Sequence, residues 1–554
     1  MAPTATTNGH QAGQQEIDCL VVGGGFAGVQ LLYTMRKQGF NTKLYEAMPG
    51  FGGIWRNACY PGARVDSELP IYGLKFPEVY RNWSWSQRYP DYKEIRKYFD
   101  HVDKVLELSK DCQFNTRVHS AHWNDETSRW DITAGDQQNP TKISAKYFFL
   151  CIGFAAKINW PDIPNRDRYK GTLYHSGFWP EGLEPEHLRG KSIGLVGTGA
   201  SGVQITQALG KVAKDMTVFV RTPNLTLPME NPKMSKETQD LFRDGWDAVY
   251  EKRNKTFAGF HYDFDYDDWT RHTPEQREAF YEDIWSRKGF HFWLETYADV
   301  YFKKDCNDTA YAFWHKKTAP MVKDEKKRAI LVPPPDKAHH TFGTVRPSLQ
   351  VDYYDILNQD NVDVISVKEN PIKTFTETGV ELSDGKKVDF EVLALATGYD
   401  THTGGFLQID IRGKGGKPLT EHWKEGCKSQ LGLATSGFPN MFFAYGPHGP
   451  TAYSNGPSTT DIQCEFLARM LNWSKENNIK SIEAKPKAEQ AFVKRIDDLS
   501  KATLFHQSHG WYMGRNVKGK PVQALNYSGG IPAYIKDLEE SEAAGYSGFD
   551  AVKA

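Results

Sequence analysis

A glycine-rich segment near the start of the sequence has the spacing of a phosphate-binding loop. Gly23, Gly25 and Gly28 follow the apolar run DCLVV and precede the amphipathic stretch VQLLYTMRKQGF. In a strand–turn–helix unit, the first glycine makes the turn and the second lets the backbone approach a pyrophosphate at the helix N-terminus. The third glycine lets helix and strand pack closely. Glu46 ends the next apolar run, where a carboxylate accepts hydrogen bonds from ribose hydroxyls, so these residues predict a dinucleotide site.

A second segment repeats this arrangement with one change. Gly197, Gly199 and Gly202 follow the apolar run SIGLV and precede VQITQALGKVAKD. Arg221 comes after MTVFV, at the position where the first unit has its acid. An arginine there favours a ribose 2′-phosphate, which a carboxylate would repel. The two signatures predict two cofactors, FAD at the first loop and NADPH at the second.

The elements that position these loops predict an α/β fold with two Rossmann-like dinucleotide-binding domains. The apolar runs KYFFLCIGF and FEVLALATGYD read as strands that carry the chain between the two domains. The segment after Arg221 is too long for a plain Rossmann connection, so we expect a helical insertion in the NADP domain. The predicted divisions are a disordered tail at 1–16, a first part of the FAD domain at 17–160, an NADP domain at 161–388 with the insertion at about 223–340, and a return to the FAD domain at 389–554.

Composition narrows the class of function. The net charge is -1, so the chain lacks the excess of basic residues that favours binding to nucleic acid or to an anionic membrane. No apolar run approaches the roughly 20 residues that a membrane span needs. The seven cysteines include no C-x-x-C pair, which argues against a disulfide reductase and favours reduced thiols in the cytoplasm. Electrons from the flavin then need another acceptor, and O2 is the leading candidate. No pattern predicts a metal site, and we expect a monomer.

The segment between the two loops has an unusual pattern of its own. The stretch YKGTLYHSGFWP contains four notable residues at intervals of two to four positions: Tyr169, Gly171, His175 and Trp179. This stretch resembles the fingerprint of type I Baeyer–Villiger monooxygenases, in which an aromatic, a glycine, a histidine and a Trp-Pro or Phe-Pro pair lie between two dinucleotide loops. Here tyrosine stands where phenylalanine is usual. N- and S-oxygenating flavin monooxygenases share a similar fingerprint that usually ends in Phe or Tyr, so Trp179 favours the Baeyer–Villiger group.

A second motif carries the same resemblance. GGIWRNACYPGARVD places Trp55, Tyr60 and Asp66 at the fixed positions of the family's other fingerprint. Further similarity occurs in GTVRPSLQVDYYD, ATGYD and GWYMGRNVKGKP, so the resemblance runs from about residue 16 to about residue 530. It implies that NADPH reduces FAD, that O2 adds at the flavin C4a position, and that the resulting C4a-peroxyflavin attacks a ketone carbonyl to give an ester or lactone.

The resemblance also implies roles for individual residues. Arg346 would lie beside the flavin as the central electrostatic residue, because a guanidinium stays protonated and donates several hydrogen bonds. Asp66 would pair with Arg346 and orient it. Trp55 and Tyr60 would lie by the flavin, and Trp511 would border the nicotinamide and the substrate.

The fingerprint residues have a different expected role. His175 and Trp179 are predicted to act in conformational coupling between the domains, and Gly171 is expected to have a positive φ.

Two alternatives stay open at this point. An N- or S-oxygenating flavin monooxygenase would use both cofactors but a different substrate, and the combination of Asp66, Arg346 and Trp179 argues against it. A non-catalytic dinucleotide-binding redox sensor would require damaged site motifs, and none is found. Val345 stands where many members of the family have a lysine that grips the 2′-phosphate, which weakens the case for strict NADPH preference. The sequence does not identify the ketone.

Overall fold

The computed structural model describes residues 15–451, 453–508 and 510–554. Most of the tail predicted at 1–16 therefore lies outside the described residues. Gln15 and Glu16 do not belong to a tail, because they pair with Ile143 and Ser144 in the first strand.

The described residues fold into two large sheets surrounded by helices, together with three small sheets of two or three strands. The strands are β1 Gln15–Val22, β2 Thr42–Tyr45, β3 Cys112–Gln113, β4 Val118–Asn124, β5 Arg129–Ala134, β6 Thr141–Leu150, β7 Thr172–His175, β8 Ser192–Val196, β9 Asp215–Val220, β10 Leu227–Pro228, β11 Leu349–Gln350, β12 Val362–Ser366, β13 Ile372–Phe375, β14 Gly379–Leu382, β15 Lys387–Asp389, β16 Val392–Leu395, β17 Asp410–Arg412, β18 Met441–Phe443, β19 Ile479–Ala484 and β20 Phe549–Lys553. The α-helices are α1 Phe26–Lys37, α2 Ile54–Asn57, α3 Pro77–Tyr80, α4 Tyr92–Leu106, α5 Ala200–Leu209, α6 Lys236–Phe242, α7 Trp246–Arg253, α8 Pro274–Ser286, α9 His291–Leu294, α10 Lys304–Thr318, α11 Glu325–Leu331, α12 Tyr353–Leu357, α13 Thr403–Phe406, α14 Leu419–His422, α15 Gly456–Glu476, α16 Pro486–Lys501 and α17 Ile531–Ala543.

The first sheet contains the first glycine loop. Within the described residues its order is β17-β4-β5-β6-β1-β2-β3, and β18 pairs with β6. Strands β1, β2, β6 and β18 run parallel, whereas β4, β5 and β6 form an antiparallel meander. The end of β1 is buried from Cys19 to Val22, as expected for a central parallel strand covered on both faces. Strands β17 and β18 show that the chain returns to this sheet in its last third.

The second sheet contains the second glycine loop and has the order β12-β9-β8-β16-β7. Its strands are all parallel. This topology corrects one predicted boundary. Residues 389–554 were assigned to the first domain, but β16 lies between β7 and β8. The second sheet therefore ends at Leu395, because the run FEVLALATGYD completes this sheet before the chain crosses back.

Helices α6 to α11 occupy the segment predicted to form a helical insertion. Strands β10 and β11 flank this insertion in sequence and pair with each other in parallel, so its two ends lie side by side. The insertion also packs against the first domain. Gln239 Nε2 donates to the Trp85 carbonyl oxygen at 2.8 Å, and Arg253 Nη1 donates to the Ile71 carbonyl oxygen at 3.0 Å. Across the described chain, no helix is both long and apolar enough to cross a membrane.

Candidate active site between two dinucleotide loops

The first glycine loop has the geometry of a phosphate cradle. Gly23 has a φ of +106°, and a Cβ there would lie 2.5 Å from the Cys151 carbonyl oxygen. A Cβ on Gly28 would lie 1.8 Å from the Gly23 carbonyl oxygen, so neither position accepts a side chain. Helix α1 begins after Gly25 without a side-chain cap. Its first amide groups are therefore directed toward the loop, where an anion binds favourably.

Glu46 stands beside this loop, directly after β2. It is buried, and its carboxylate accepts hydrogen bonds from the amides of Gly24 at 2.6 Å and Met48 at 2.7 Å. Burial raises the pKa of Glu46, although both amides act in the opposite direction. The carboxylate is thus fixed next to the amides that would contact a dinucleotide.

The second loop repeats the cradle. Gly197 has a φ of +107°, and a Cβ there would lie 2.4 Å from the Ala396 carbonyl oxygen. A Cβ on Gly202 would lie 2.1 Å from the Gly197 carbonyl oxygen. Gly199 precedes α5 without a side-chain cap and faces open space. Arg221 is exposed immediately after β9, which pairs with the strand β8 that precedes this loop.

The GGIWRNACYPGARVD segment lies between the two loops. A Cβ on Gly25 would lie 3.5 Å from the Cα of Gly53, so this segment covers the first loop closely. At its other end, the Tyr60 hydroxyl donates to Gln204 Oε1 on α5 at 2.8 Å. Burial raises the pKa of Tyr60 to about 12, so the phenol stays protonated. Trp55 Nε1 donates to the Tyr72 hydroxyl at 3.0 Å.

Asp66 and Arg346 form a two-pronged ion pair although 280 residues separate them in sequence. Arg346 Nε donates to Asp66 Oδ2 at 2.7 Å, and Nη2 donates to Oδ1 at 2.8 Å. The guanidinium carbon also lies 4.9 Å from the Phe290 ring centre and 5.4 Å from the Trp293 ring centre. Burial disfavours the charged guanidinium, but the charge and hydrogen bonds of Asp66 outweigh this and raise the pKa of Arg346. The guanidinium of Arg346 is therefore a fixed, charged donor.

Trp511 belongs to an aromatic group next to this pair. Its ring stacks on Phe154 with centres 5.3 Å apart and an interplanar angle of 4°. The neighbouring Tyr512 hydroxyl accepts a hydrogen bond from the Arg346 backbone amide at 3.0 Å. The segment near the C-terminus therefore reaches the loop that carries Arg346.

The fingerprint residues lie apart from the ion pair, at the crossing between the domains. His175 ends β7, where its Nδ1 accepts from the Gly177 amide at 3.0 Å and its Nε2 lies 3.2 Å from Thr397 Oγ1. Burial lowers the pKa of His175, so the ring is neutral and donates through Nε2. The Trp179 carbonyl oxygen accepts from the Cys59 thiol at 3.1 Å, and its ring lies 4.9 Å from that of Tyr174.

The expectation of a positive φ at Gly171 is wrong, because Gly171 is absent from the positive-φ glycines of the structure. The reason for a glycine is steric. A Cβ at this position would lie 2.3 Å from the Tyr169 hydroxyl oxygen and 2.4 Å from the adjoining ring carbon. The tyrosine ring covers the glycine, and its hydroxyl donates to the Phe390 carbonyl oxygen at 3.1 Å.

Several residues near the ion pair were not predicted. Phe290 and Trp293 come from the helical insertion, and nothing in their spacing indicates contact with Arg346. Tyr72 and Tyr445 also lie close enough for their pKa values to respond to the charges of Asp66 and Arg346. Tyr512 adjoins Trp511 and could have been found from that motif.

Comparisons with known proteins agree with this arrangement. Residues 17–258 match the pyridine nucleotide-disulphide oxidoreductase family, although the seven cysteines are all described and all free. The chain is 39% identical over 534 residues to a cyclopentanone 1,2-monooxygenase from Comamonas, covering 96% of each protein. It is 31% identical over 535 residues to a Baeyer-Villiger monooxygenase from Pseudooceanicola batsensis, again covering 96% of each. The solved structure of OTEMO in complex with FAD and NADP superimposes with a TM-score of 0.91 at 30% identity, covering 97% of this chain and 100% of that one.

Proposed function

This chain belongs to the Baeyer–Villiger monooxygenase family, and we propose that its Asp66–Arg346 pair is the electrostatic centre of the reaction. The enzyme uses FAD and NADPH to insert one oxygen atom next to the carbonyl group of a small ketone, giving an ester or lactone. O2 is proposed as the source of that atom. The single observation that supports this site is the two-pronged pair itself, which joins the GGIWRNACYPGARVD segment to the GTVRPSLQVDYYD segment.

The residues present fit both cofactors. Gly23, Gly25 and Gly28, with the uncapped start of α1, would hold the FAD pyrophosphate, and Glu46 would hold its ribose. Trp55 and Tyr60 are proposed to line the flavin side of this site. When bound, FAD would accept a hydride from NADPH and would activate O2.

The second loop would hold the pyrophosphate of NADPH. Gly197, Gly199 and Gly202 form the cradle, and the exposed Arg221 would meet the 2′-phosphate. Trp511 is proposed to border the nicotinamide and the ketone.

Arg346 is proposed to stabilise the negative charge that develops during oxygen transfer. Its guanidinium is held by Asp66 on one side and by the faces of Phe290 and Trp293 on another. No reorganisation is needed when charge appears, and one such preorganised donor contributes about 3–4 kcal/mol to transition-state stabilisation. Asp66 orients this donor without contacting the reacting atoms.

His175, Trp179 and Gly171 are proposed to couple the domains. His175 joins β7 to the returning segment through Thr397, and Trp179 is held by the Cys59 loop next to Tyr60. A change in the position of the second domain would therefore reach the flavin side of the site through these contacts. A monomer and a cytoplasmic location also stay predictions.

The reaction can be tested directly with labelled oxygen. The purified enzyme with FAD would receive NADPH, ¹⁸O2 and cyclopentanone, acetone, larger cyclic and fused-ring ketones, an amine and a sulfide, with products identified by mass spectrometry. We expect an ester or lactone that carries one ¹⁸O atom from at least one ketone. An N-oxide or sulfoxide without any ester would contradict the proposal and support the other class of flavin monooxygenase.

A further inference from the structure

Tyr445 has a backbone conformation that a tyrosine rarely adopts. Its φ is +57°, in the left-handed region that favours glycine. The surrounding residues hold this conformation. The Tyr445 amide donates to Gln463 Oε1 at 2.7 Å, and Gln463 Nε2 donates to the Tyr534 hydroxyl at 2.9 Å. Strained residues supported in this way concentrate at functional sites.

The Tyr445 ring belongs to the aromatic group of Phe154, Trp511 and Tyr512, which adjoins the ion pair. The Tyr445 ring contacts the edge of Phe154, with centres 5.6 Å apart. A Cβ on Gly456 would lie 3.1 Å from the Tyr445 hydroxyl oxygen, so the hydroxyl lies over the first turn of α15. Burial raises the pKa of Tyr445 to about 12, with Arg346 lowering it and Asp66 raising it. The group is therefore a protonated donor within the electrostatic reach of both charges.

Tyr72, Tyr445 and Tyr512 are among the tyrosines whose pKa responds to the charges of the pair, and two of these three hydroxyls accept a hydrogen bond from the protein. The Tyr72 hydroxyl accepts from Trp55 Nε1, and the Tyr512 hydroxyl accepts from the Arg346 amide. The Tyr445 hydroxyl makes no hydrogen bond to any residue of the described chain, and its side chain is half-buried. A donor that is built into a strained position and left without a protein partner suits a ligand group.

We infer that the Tyr445 hydroxyl donates a hydrogen bond to the carbonyl oxygen of the bound ketone, beside Arg346. This inference rests on the proposed function. The carbonyl oxygen gains negative charge when its carbon is attacked, so a second donor stabilises the same charge that Arg346 stabilises. The role requires only that the phenol stay protonated, and no proton is transferred.

The test compares Tyr445→Phe with the wild-type enzyme. Phenylalanine keeps the ring and has the same left-handed strain, so only the hydroxyl is lost. Tyr147→Phe is the matched control, because it removes a buried hydroxyl that bonds to Ser474 Oγ at 3.0 Å within the first domain. For each protein we would measure FAD content, the rate of NADPH oxidation without ketone, kcat/KM for the ketone that the wild type converts best, and the dissociation constant of that ketone by calorimetry.

We expect kcat/KM for the ketone to fall about tenfold in Tyr445→Phe, the effect of one neutral hydrogen bond. The ketone should also bind more weakly, while FAD content and ketone-free NADPH oxidation stay within twofold of wild type. Tyr147→Phe should retain wild-type values in all four measurements.

Three outcomes would overturn the inference. The first is a kcat/KM within twofold of wild type, and the second is an equal loss in ketone-free NADPH oxidation, which would place the hydroxyl on a cofactor. The third is loss of FAD, because a hydroxyl that contacts only substrate does not hold the cofactor. A wild-type enzyme that converts no ketone would instead contradict the proposed function itself.

Discussion

Removal of the Asp66 carboxylate should slow turnover strongly while leaving the cofactor site intact. In Asp66→Ala, Arg346 loses the two hydrogen bonds of 2.7 and 2.8 Å that fix its guanidinium. Its stacking neighbours Phe290 and Trp293 remain, but they do not set the direction of its donors. Among the described residues, no hydrogen bond or ion pair links the Asp66 side chain to the glycine loop that would hold FAD. The variant should therefore bind FAD and turn over slowly.

The size of the effect follows from the geometry of the pair. A hydrogen bond to a charged group contributes about 1.5–3 kcal/mol, and two unit charges at ~4 Å near a protein surface attract by about 4 kcal/mol. The side chains are 20% and 28% exposed, so solvent screens part of this attraction. Loss of one preorganised donor costs about 3–4 kcal/mol of transition-state stabilisation, which corresponds to a fall of about 10²–10³ in kcat. We expect Asp66→Ala to lie near the lower end of that range, because Arg346 itself is retained.

The assay follows ester formation and NADPH consumption in Asp66→Ala, Arg346→Ala and the double variant, with FAD content measured by absorbance. Because the two residues act as one unit, the double variant should be no slower than Arg346→Ala alone. Asp100→Ala is the matched control, since Asp100 is 68% exposed and pairs with Arg56 at 3.1 Å on the surface. That control should change kcat less than twofold, in line with the small contribution of exposed ion pairs. A wild-type kcat in Asp66→Ala, or loss of FAD from it, would refute the reasoning.

Three further predictions address the second domain and the buried histidines. Arg221→Ala should raise KM for NADPH about tenfold or more and leave KM for NADH unchanged, because only the 2′-phosphate contact is lost; an equal rise for both in steady-state kinetics would contradict this role. His175→Ala should retain NADPH binding in a fluorescence titration but lose turnover and yield more H2O2 per NADPH; wild-type coupling in that variant would exclude a role in domain coupling. Burial lowers the pKa of His448 to about 4, below the unfolded value of about 6.5, so the unfolded state binds the proton first as the pH falls. The contribution of neutral His448 to the free energy of unfolding is complete above pH 6.5 and should decline by roughly 3 kcal/mol toward pH 4. The melting temperature of His448→Gln should therefore fall less steeply over this pH range than that of the wild type.

The α/β fold and its two βαβ units could be predicted because their signals are local. Each glycine loop requires a strand before it and a helix after it, and Gly23 and Gly197 have nearly the same φ in the structure. The boundary at 388 was wrong because the order of strands within a sheet is not local. The run that forms β16 reads equally well as the last strand of one domain or the first of the next, and only its pairing with β7 and β8 decides the matter.

The site could be anticipated only in part. Asp66 and Arg346 were selected by motif, and their contact supports that choice, although its catalytic role stays a prediction. Phe290 and Trp293 come from a helical insertion whose docking depends on long-range packing rather than on a pattern in the sequence. Tyr445 depends on a left-handed backbone that its surroundings impose, which no propensity of tyrosine would indicate.

The most direct test of the account is the yield of ester and of H2O2 per NADPH consumed, measured side by side for the wild type and Arg346→Ala with the same ketone. We predict that the wild type directs most of its NADPH into ester, and that Arg346→Ala, still carrying FAD, forms no detectable ester. An Arg346→Ala variant that makes ester with the wild-type yield would contradict the claim that the Asp66–Arg346 pair is the electrostatic centre of this enzyme.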